Sequence, residues 1–464
     1  MLNTVRAACA VFVFACLAGK ACAQQAPASP TERLTSEIAA HTPMMDDLEE
    51  LCDGFGARLT GSRQLQASQA WAMKKLALYG ASDVRLEAYE LGRPWQRGHA
   101  RARLLNANGM TLDVVQKAWT EGTRGAIRAD VALLDVKTLA AFKEALPALR
   151  GKIVLAVSVP SASPEQQKDL PRYQAEVDAA IDAAQLAGVL LVSGKDGGLQ
   201  DMWGGPASRF KRSAGIVTRN HADMLRRLLA RGVTPRLELD MNGGFGKVPV
   251  KAYNVVADFP GTDSTGEMVI VGAHIDSWDL GSGATDNGSG TVVAMEVLRA
   301  MRATGARPVR SLRVVLFSGE EQGLLGSKAY VAAHREELPR IQAVLVQDAG
   351  AGRIMGFPDM KVEPWFAPLS AAVAPAKDVG PVDIVYAVSK GSDHAPFFER
   401  GIPAFVAIQD PLDYRSHTQH TQADSIDRVR KADLVQAAQV MAVTAWGLLN
   451  GPRLPHVAPQ ERSR

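Results

Sequence analysis

The sequence predicts an α/β protein: a mostly parallel central sheet with helices on both faces, interrupted by an inserted unit. Three observations predict it. From Tyr253 onward, apolar runs of strand length alternate with helical stretches, the rhythm of a parallel sheet covered on both sides. Four strand ends or the loops beside them carry a His or a carboxylate. Residues 95–245 have a different texture of short strands and two helical stretches, set off by the Gly/Pro-bearing breaks GRPWQRG and GGFGKVPV.

Taken in order, the chain opens on a segment that does not belong to the fold. Arg6 precedes a short apolar core, VFVFACLAG, and Ala21-Cys22-Ala23 has the small-residue spacing of a cleavage site, so residues 1–23 read as an export leader. The mature chain is expected to be secreted or periplasmic and soluble, and no later run reads as a membrane span. Of the 4 cysteines, three leave with the leader, so Cys52 has no partner and burial must supply the stability. Loss of Arg6 and Lys20 from 52 basic residues leaves 50 against 49 acidic ones, a balance that argues for neither nucleic acid nor a membrane surface as partner.

Residues 24–31 read as a disordered lead-in. Helical apolar spacing runs from Glu32 to Asp53, and QLQASQAWAMKKLALYG makes an amphipathic helix stopped at Gly80. DVRLEAYEL is a strand. The main domain is then expected over 32–94 and 246–450, the insertion over 95–245, and a tail over 451–464. Within the insertion, strands are expected at ARARLL, DVALLD, KIVLAVS, GVLLVS and RLELDM, with helices near 172–187 and 220–231. In the second half, strands fall at 253–258, 268–272, 311–317, 343–347 and 403–408, and helices near 287–304, 322–336 and 429–449.

The chemistry collects at those strand ends, where open α/β sheets place their sites. MVIVGAHIDSWDLGSGATDNGSG brings His274, Asp276 and Asp286 into one glycine-rich loop. SLRVVLFSGEEQG ends in the adjacent carboxylates Glu320 and Glu321, which suit one metal ligand and one proton carrier. AVLVQDAG ends in Asp348, and YRSHTQHTQADS offers His417 and His420. Each has a plainer reading: acids favouring a helix N-terminus, an Asp capping a turn, histidines on a surface. Four such ends delivered to one sheet edge weigh against coincidence.

HIDSWDLGSGATDNGSG, FSGEEQG, QDAG and HTQADS together resemble the site motifs of the co-catalytic zinc exopeptidases, the aminopeptidase and glutamate carboxypeptidase family. SWD is most similar to the carboxypeptidase Q (plasma glutamate carboxypeptidase) branch. GARLTGS and GSDHAPFFERGIPAF resemble lesser signatures of the family, and residues 95–245 resemble a protease-associated domain. The resemblance implies two zinc ions per chain bridged by Asp286. It pairs His274 with Glu321 at one ion and Asp348 with His420 at the other, with Glu320 as general base and Asp276 orienting the His274 ring. His420 rather than His417 matches, because His-Thr-x-x-Asp-Ser begins there. The bond Asp286-Asn287 is expected to be cis. One position departs: where some relatives have a Tyr three residues before Ser-Asp-His, this chain has Ser389, with Tyr386 nearby.

The implied activity is hydrolysis of short peptides by an exopeptidase, with a homodimer as the expected assembly. Glutaminyl cyclase, on a similar fold with one zinc, is the alternative enzyme, and a receptor-type homologue without catalysis is the alternative outside enzymes. The insertion argues against the first, and the complete set of ligand positions against the second.

Overall fold

The computed structural model describes residues 28–158, 162–206 and 212–458. The leader lies outside the described residues. The central sheet has six strands: β1 (Asp83–Gly92), β2 (Val250–Phe259), β3 (Met268–His274), β4 (Ser311–Phe317), β5 (Ile341–Val346) and β6 (Ala404–Val406). Their order is β1-β2-β4-β3-β5-β6. β4, β3, β5 and β6 run parallel, while β2 lies antiparallel to β4 and β1 antiparallel to β2. The α/β expectation holds, with an antiparallel pair added at one edge.

β3 shows why the sheet must be covered on both faces. All its residues are buried, and alternate ones enter different cores. Val269, Val271 and Ala273 face one cluster, whereas Met268 and Ile270 face the other. The larger core is roofed by α1 (Pro30–His41), α2 (Arg63–Leu78), α3 (Ser289–Ala303), α5 (Glu363–Val373) and α6 (Lys431–Asn450). The smaller one is closed by α4 (Leu325–Ala333) through Tyr330 and Val331.

Local chemistry sets the helix ends. Ser29 and Glu32 form a capping box on α1, and the Ser62 hydroxyl caps α2 by accepting from Leu65 N–H. The helix expected over 32–53 does not run through. α1 stops at His41, since Pro43 disfavours helical backbone at Thr42, which is extended at ψ 132°. A shorter helix, Met44–Glu49, and a wider turn, Glu50–Phe55, follow. A second correction concerns α6. Its 20 residues are long and apolar enough to cross a membrane by length and composition, contrary to the expectation of no such run. The helix packs against α1, α3 and α5, with 72% of its apolar window buried.

Residues between Pro94 and Gly246 form a separate eight-stranded sheet. Ile127–Asp135, Ile153–Ser158, Gly188–Val192 and Ala214–Val217 run parallel at its centre. Antiparallel strands flank them on both sides. Chain entry and exit lie together: Gly246 N–H donates to Pro94 C=O at 2.7 Å, and Trp95–Gln96 pairs with Gly244–Phe245. A helix at Leu139–Ala145 was not anticipated from the sequence.

Candidate metal centre

Three neighbouring parallel strands, β4, β3 and β5, end at the same edge, and their tips bear the site. His274 is the last residue of β3 and is fully buried. Its Nδ1 lies 3.0 Å from the Asp276 backbone carbonyl. A carbonyl only accepts, so Nδ1 carries the proton and Nε2 keeps its lone pair for the cavity. The Asp276 carboxylate stands 3.6 Å from the same nitrogen. It also accepts from Thr60 Oγ1 at 3.0 Å and from Glu320 N–H at 3.4 Å. Asp276 thus orients the ring chiefly through its main chain, while its carboxylate joins the β3 loop to the β4 tip.

Asp286 sits between the two histidines. Its Oδ1 is 3.3 Å from His274 Nε2 and its Oδ2 is 3.4 Å from His420 Nε2. The bond to Asn287 is cis. His274 Nε2 also meets Asp348 Oδ1 at 3.1 Å, and His420 Nε2 meets Glu321 Oε2 at 3.1 Å. These contacts pair His274 with Asp348 and His420 with Glu321. The direct contacts therefore differ from the expected pairing of His274 with Glu321 and of Asp348 with His420. Strand adjacency could not decide this, because β3 borders both β4 and β5. The ring orientation set at Nδ1 decides it.

Donor atoms of His274, Glu320 and Asp348, and of His274, Asp286 and Glu321, also lie within 4.8 Å of one another. Those groupings use His274 twice, whereas its single free nitrogen serves one cation. The division by direct contacts is therefore the chemically consistent one. His417 is outside the cluster, exposed and bonded to Ser416.

The donor set fits divalent cations. Asp286 Oδ2 and Glu321 Oε1 are buried and make no hydrogen bond. Acids outnumber the two imidazoles, and the field shows it. Burial and then Asp286 push the Glu321 carboxyl up to about 7. Burial, followed by Asp348, holds Glu320 well above the ordinary carboxylate range. Burial opposes charge on His420, but Glu321 and Asp286 overcome it and carry the ring to about 9. Such a cluster is missing positive charge. Mixed imidazole and carboxylate donors facing an open cavity are the pattern of a catalytic rather than a structural zinc site.

Sequence reasoning missed several supports. Arg58, fully buried, donates to the carbonyls of Ile275, Gly56, Ser282 and Gly283 and so braces the loop carrying Asp276 and Asp286. Asp424 accepts from Thr285 N–H at 2.7 Å and Asp286 N–H at 3.1 Å. Both residues lay inside quoted motifs, GARLTGS and HTQADS, so the signal existed without its meaning. Tyr414, buried, lines the cavity, where burial and Asp286 hold its phenol protonated. Tyr386 is 75% exposed and takes no part in the lining.

The inserted sheet reaches this site. Met202 N–H donates to His420 C=O at 2.9 Å, and Gln200 N–H to Gln422 Oε1 at 3.0 Å. Trp278 lies 6.0 Å from the His420 ring, and Trp119 meets Trp278 edge-on at 6.4 Å. The cavity beneath has a volume of about 560 Å³, within the range of small-ligand pockets.

An α/β sheet whose strand tips gather five metal-type donors and a neighbouring free glutamate defines a hydrolase scaffold, and the comparisons specify it. Residues 254–445 match Peptidase family M28, and with the relatives below this marks the chain as a peptide hydrolase. Among its relatives, carboxypeptidase Q of Mus musculus is 27% identical over 85% of this chain and 83% of its own. Carboxypeptidase Q of Homo sapiens is 26% identical over 85% and 83%. The crystal structure of a peptidase M28 precursor from Shewanella amazonensis superposes with a TM-score of 0.79 at 26% identity, covering 92% of this chain and 98% of that one. BSAP, a zinc aminopeptidase from Bacillus subtilis, shares the fold at TM-score 0.67 and 20% identity, over 88% and 95%.

Proposed function

We propose that the chain is a di-zinc exopeptidase that hydrolyses short peptides with Glu320 as general base. One observation carries the reading. A single buried carboxylate, Asp286, presents one oxygen to each of two His–acid pairs. His274 with Asp348 would hold one zinc, Glu321 with His420 the other, and Asp286 would be shared. Bound zinc supplies Lewis-acid polarisation and an acidified water.

The chain's own groups supply the rest. Glu320 lines the cavity beside Asp348 and is displaced from the direct His contacts. It takes the proton of the attacking water as the water oxygen bonds to the scissile carbonyl carbon. It then returns that proton to the amine as the C–N bond breaks. Asp276 keeps Glu320 near His274 by accepting from the Glu320 N–H. Tyr414, neutral and buried in the wall, is a proton donor for charge developing on the substrate oxygen.

The test is zinc titration of metal-stripped protein with dipeptide turnover read in parallel. Activity should rise to a maximum at two zinc per chain. A maximum at one zinc with glutamine cyclisation would establish the cyclase reading. Zinc binding without turnover on any peptide would establish the receptor-type one.

A further inference from the structure

The two histidines of the metal centre are held in different ways. His274 ends a central strand, and its Nδ1 donates to the Asp276 carbonyl. His420 sits in a loop at a left-handed φ of 63°, with its side chain 29% exposed. Metal-binding imidazoles normally donate their second ring N–H to an acceptor that fixes the ring. Among the described residues, His420 Nδ1 has no such partner: its ion-pair contacts all run through Nε2. The ring packs instead against Trp278 at 6.0 Å.

Trp278 is in turn set from the inserted unit. Trp119 meets it edge-on at 6.4 Å and stacks on Trp95 at 6.2 Å. All three indoles are buried in one cluster that spans the inserted and main units. Asp279, the residue after Trp278, is gripped by Arg97, with Nε to Oδ2 at 2.8 Å and Nη2 to Oδ1 at 2.7 Å. The Arg97 guanidinium lies 4.9 Å from the Trp95 ring and also donates to the Gln116 carbonyl. Trp95, Arg97, Asp279, Trp278 and Trp119 thus form a closed circuit.

Aromatic clusters commonly do no more than join two units by packing. Two features set this one apart. Trp119 adopts a φ of 58°, a conformation that is costly for a bulky residue and persists only where its surroundings enforce it. The Arg97 fork on Asp279 is bidentate and mostly shielded from solvent, the geometry in which an ion pair fixes direction. Met202, in the same cluster, donates its N–H to the His420 carbonyl. The inserted unit therefore holds both the backbone and the ring face of His420.

We propose that Arg97, Trp119 and Trp278 are positioning residues for the His420 imidazole. Through them the inserted unit sets the zinc affinity of the Glu321–His420 pair and leaves the His274–Asp348 pair untouched. This rests on the di-zinc reading and goes beyond it, because two cations sharing Asp286 would be controlled by different parts of the chain.

The experiment measures both zinc dissociation constants of metal-stripped, full-length protein by competition with a chelating dye. The melting temperature of the same metal-free samples is recorded beside them. Removing a group that orients a ligating His typically costs about 10–100-fold in metal affinity. Arg97→Gln and Trp278→Leu should each weaken one zinc step by about that factor and leave the other unchanged. Should Trp278→Leu fail to fold, Arg97→Gln at the rim of the cluster carries the test alone. Arg97→Lys keeps the charge without the fork and should recover only part of the affinity. In a His420→Ala background Arg97→Gln should have no further effect on zinc, as expected of residues acting through one another. A lowered melting temperature with both zinc steps intact would make the cluster a structural joint and overturn the proposal. Equal weakening of both steps, or an Arg97 effect that persists beside His420→Ala, would overturn it as well. Binding of fewer than two zinc ions by the unaltered protein would overturn the di-zinc reading and this inference with it.

Discussion

Glu320 and Glu321 are neighbours in sequence with different partners. Glu321 contacts His420 at 3.1 Å through its carboxylate, while Glu320 donates its backbone N–H to the Asp276 carboxylate. The alternative that both merely favour a helix N-terminus fails on position. α4 begins at Leu325, and Leu324 before it adopts a left-handed φ of 62°, so neither acid lies in its first turn. Glu320→Gln should keep the zinc content and lower kcat by about 10²–10⁴-fold, equivalent to roughly 3–5 kcal/mol of barrier. Glu321→Gln should lose zinc, with added zinc restoring part of the rate. Zinc analysis beside turnover on each variant checks both. Metal loss in the Glu320 variant with retention in the Glu321 variant would reverse the assignment.

At the scale of elements, α4 is tied to the edge strand β1 by one pH-sensitive pair. His334, just past the end of α4, meets Glu87 of β1 at 2.7 Å. The hydrogen bond to Glu87 raises the His334 pKa above its ordinary value, despite partial burial. A His with a raised folded-state pKa stabilises fully below its unfolded value of about 6.5, and that contribution is lost as pH rises through the folded value. Burial opposes charge on Glu87, but His334 and Arg85 lower its pKa, so its share is lost instead as pH falls through the carboxylate range. His334→Gln should therefore lower the melting temperature most near pH 5.5–6 and least above about pH 9. Melting curves of both proteins across that range are the check; a pH-independent difference would show that packing against Tyr330, whose ring lies 4.2 Å away, is what His334 contributes.

For the whole molecule, the inserted sheet is part of the site. Its residues 195–202 touch the loop of Arg415, His420 and Gln422 through backbone and side-chain bonds. Asp201 and Thr421 also form an isolated antiparallel bridge. The cavity holds about 560 Å³, and the inserted residues stand against the loop that carries His420, which motivates a restriction on substrate length. The expectation is rapid hydrolysis of dipeptides, slow hydrolysis of peptides beyond about four residues, and none of folded proteins. Rates measured over a length series test this, and efficient cleavage at internal bonds of long peptides would remove the restricting role.

What the sequence determined by itself follows from local rules. Strand-length apolar runs located β2 to β5 within a few residues, and the abrupt halt of an apolar run marked where polar donors gather. Gly and Pro breaks marked residues 94–95 and 245–246, where chain entry and exit lie together. The resemblance of four motifs then brought His274, Asp286, Glu321, Asp348 and His420 to one place. Tertiary structure alone decided which of these face one another. That depended on the Asp276 carbonyl occupying His274 Nδ1, and on a loop from beyond β6 bringing His420 to Glu321. It also gave Arg58 and Asp424 their work, since all but one of the carbonyls and amides they bind lie more than 130 residues away in the chain. Periodicity reports which face of an element is buried; it carries no information on the orientation of a ring about χ1 and χ2, or on which distant loop arrives beside it.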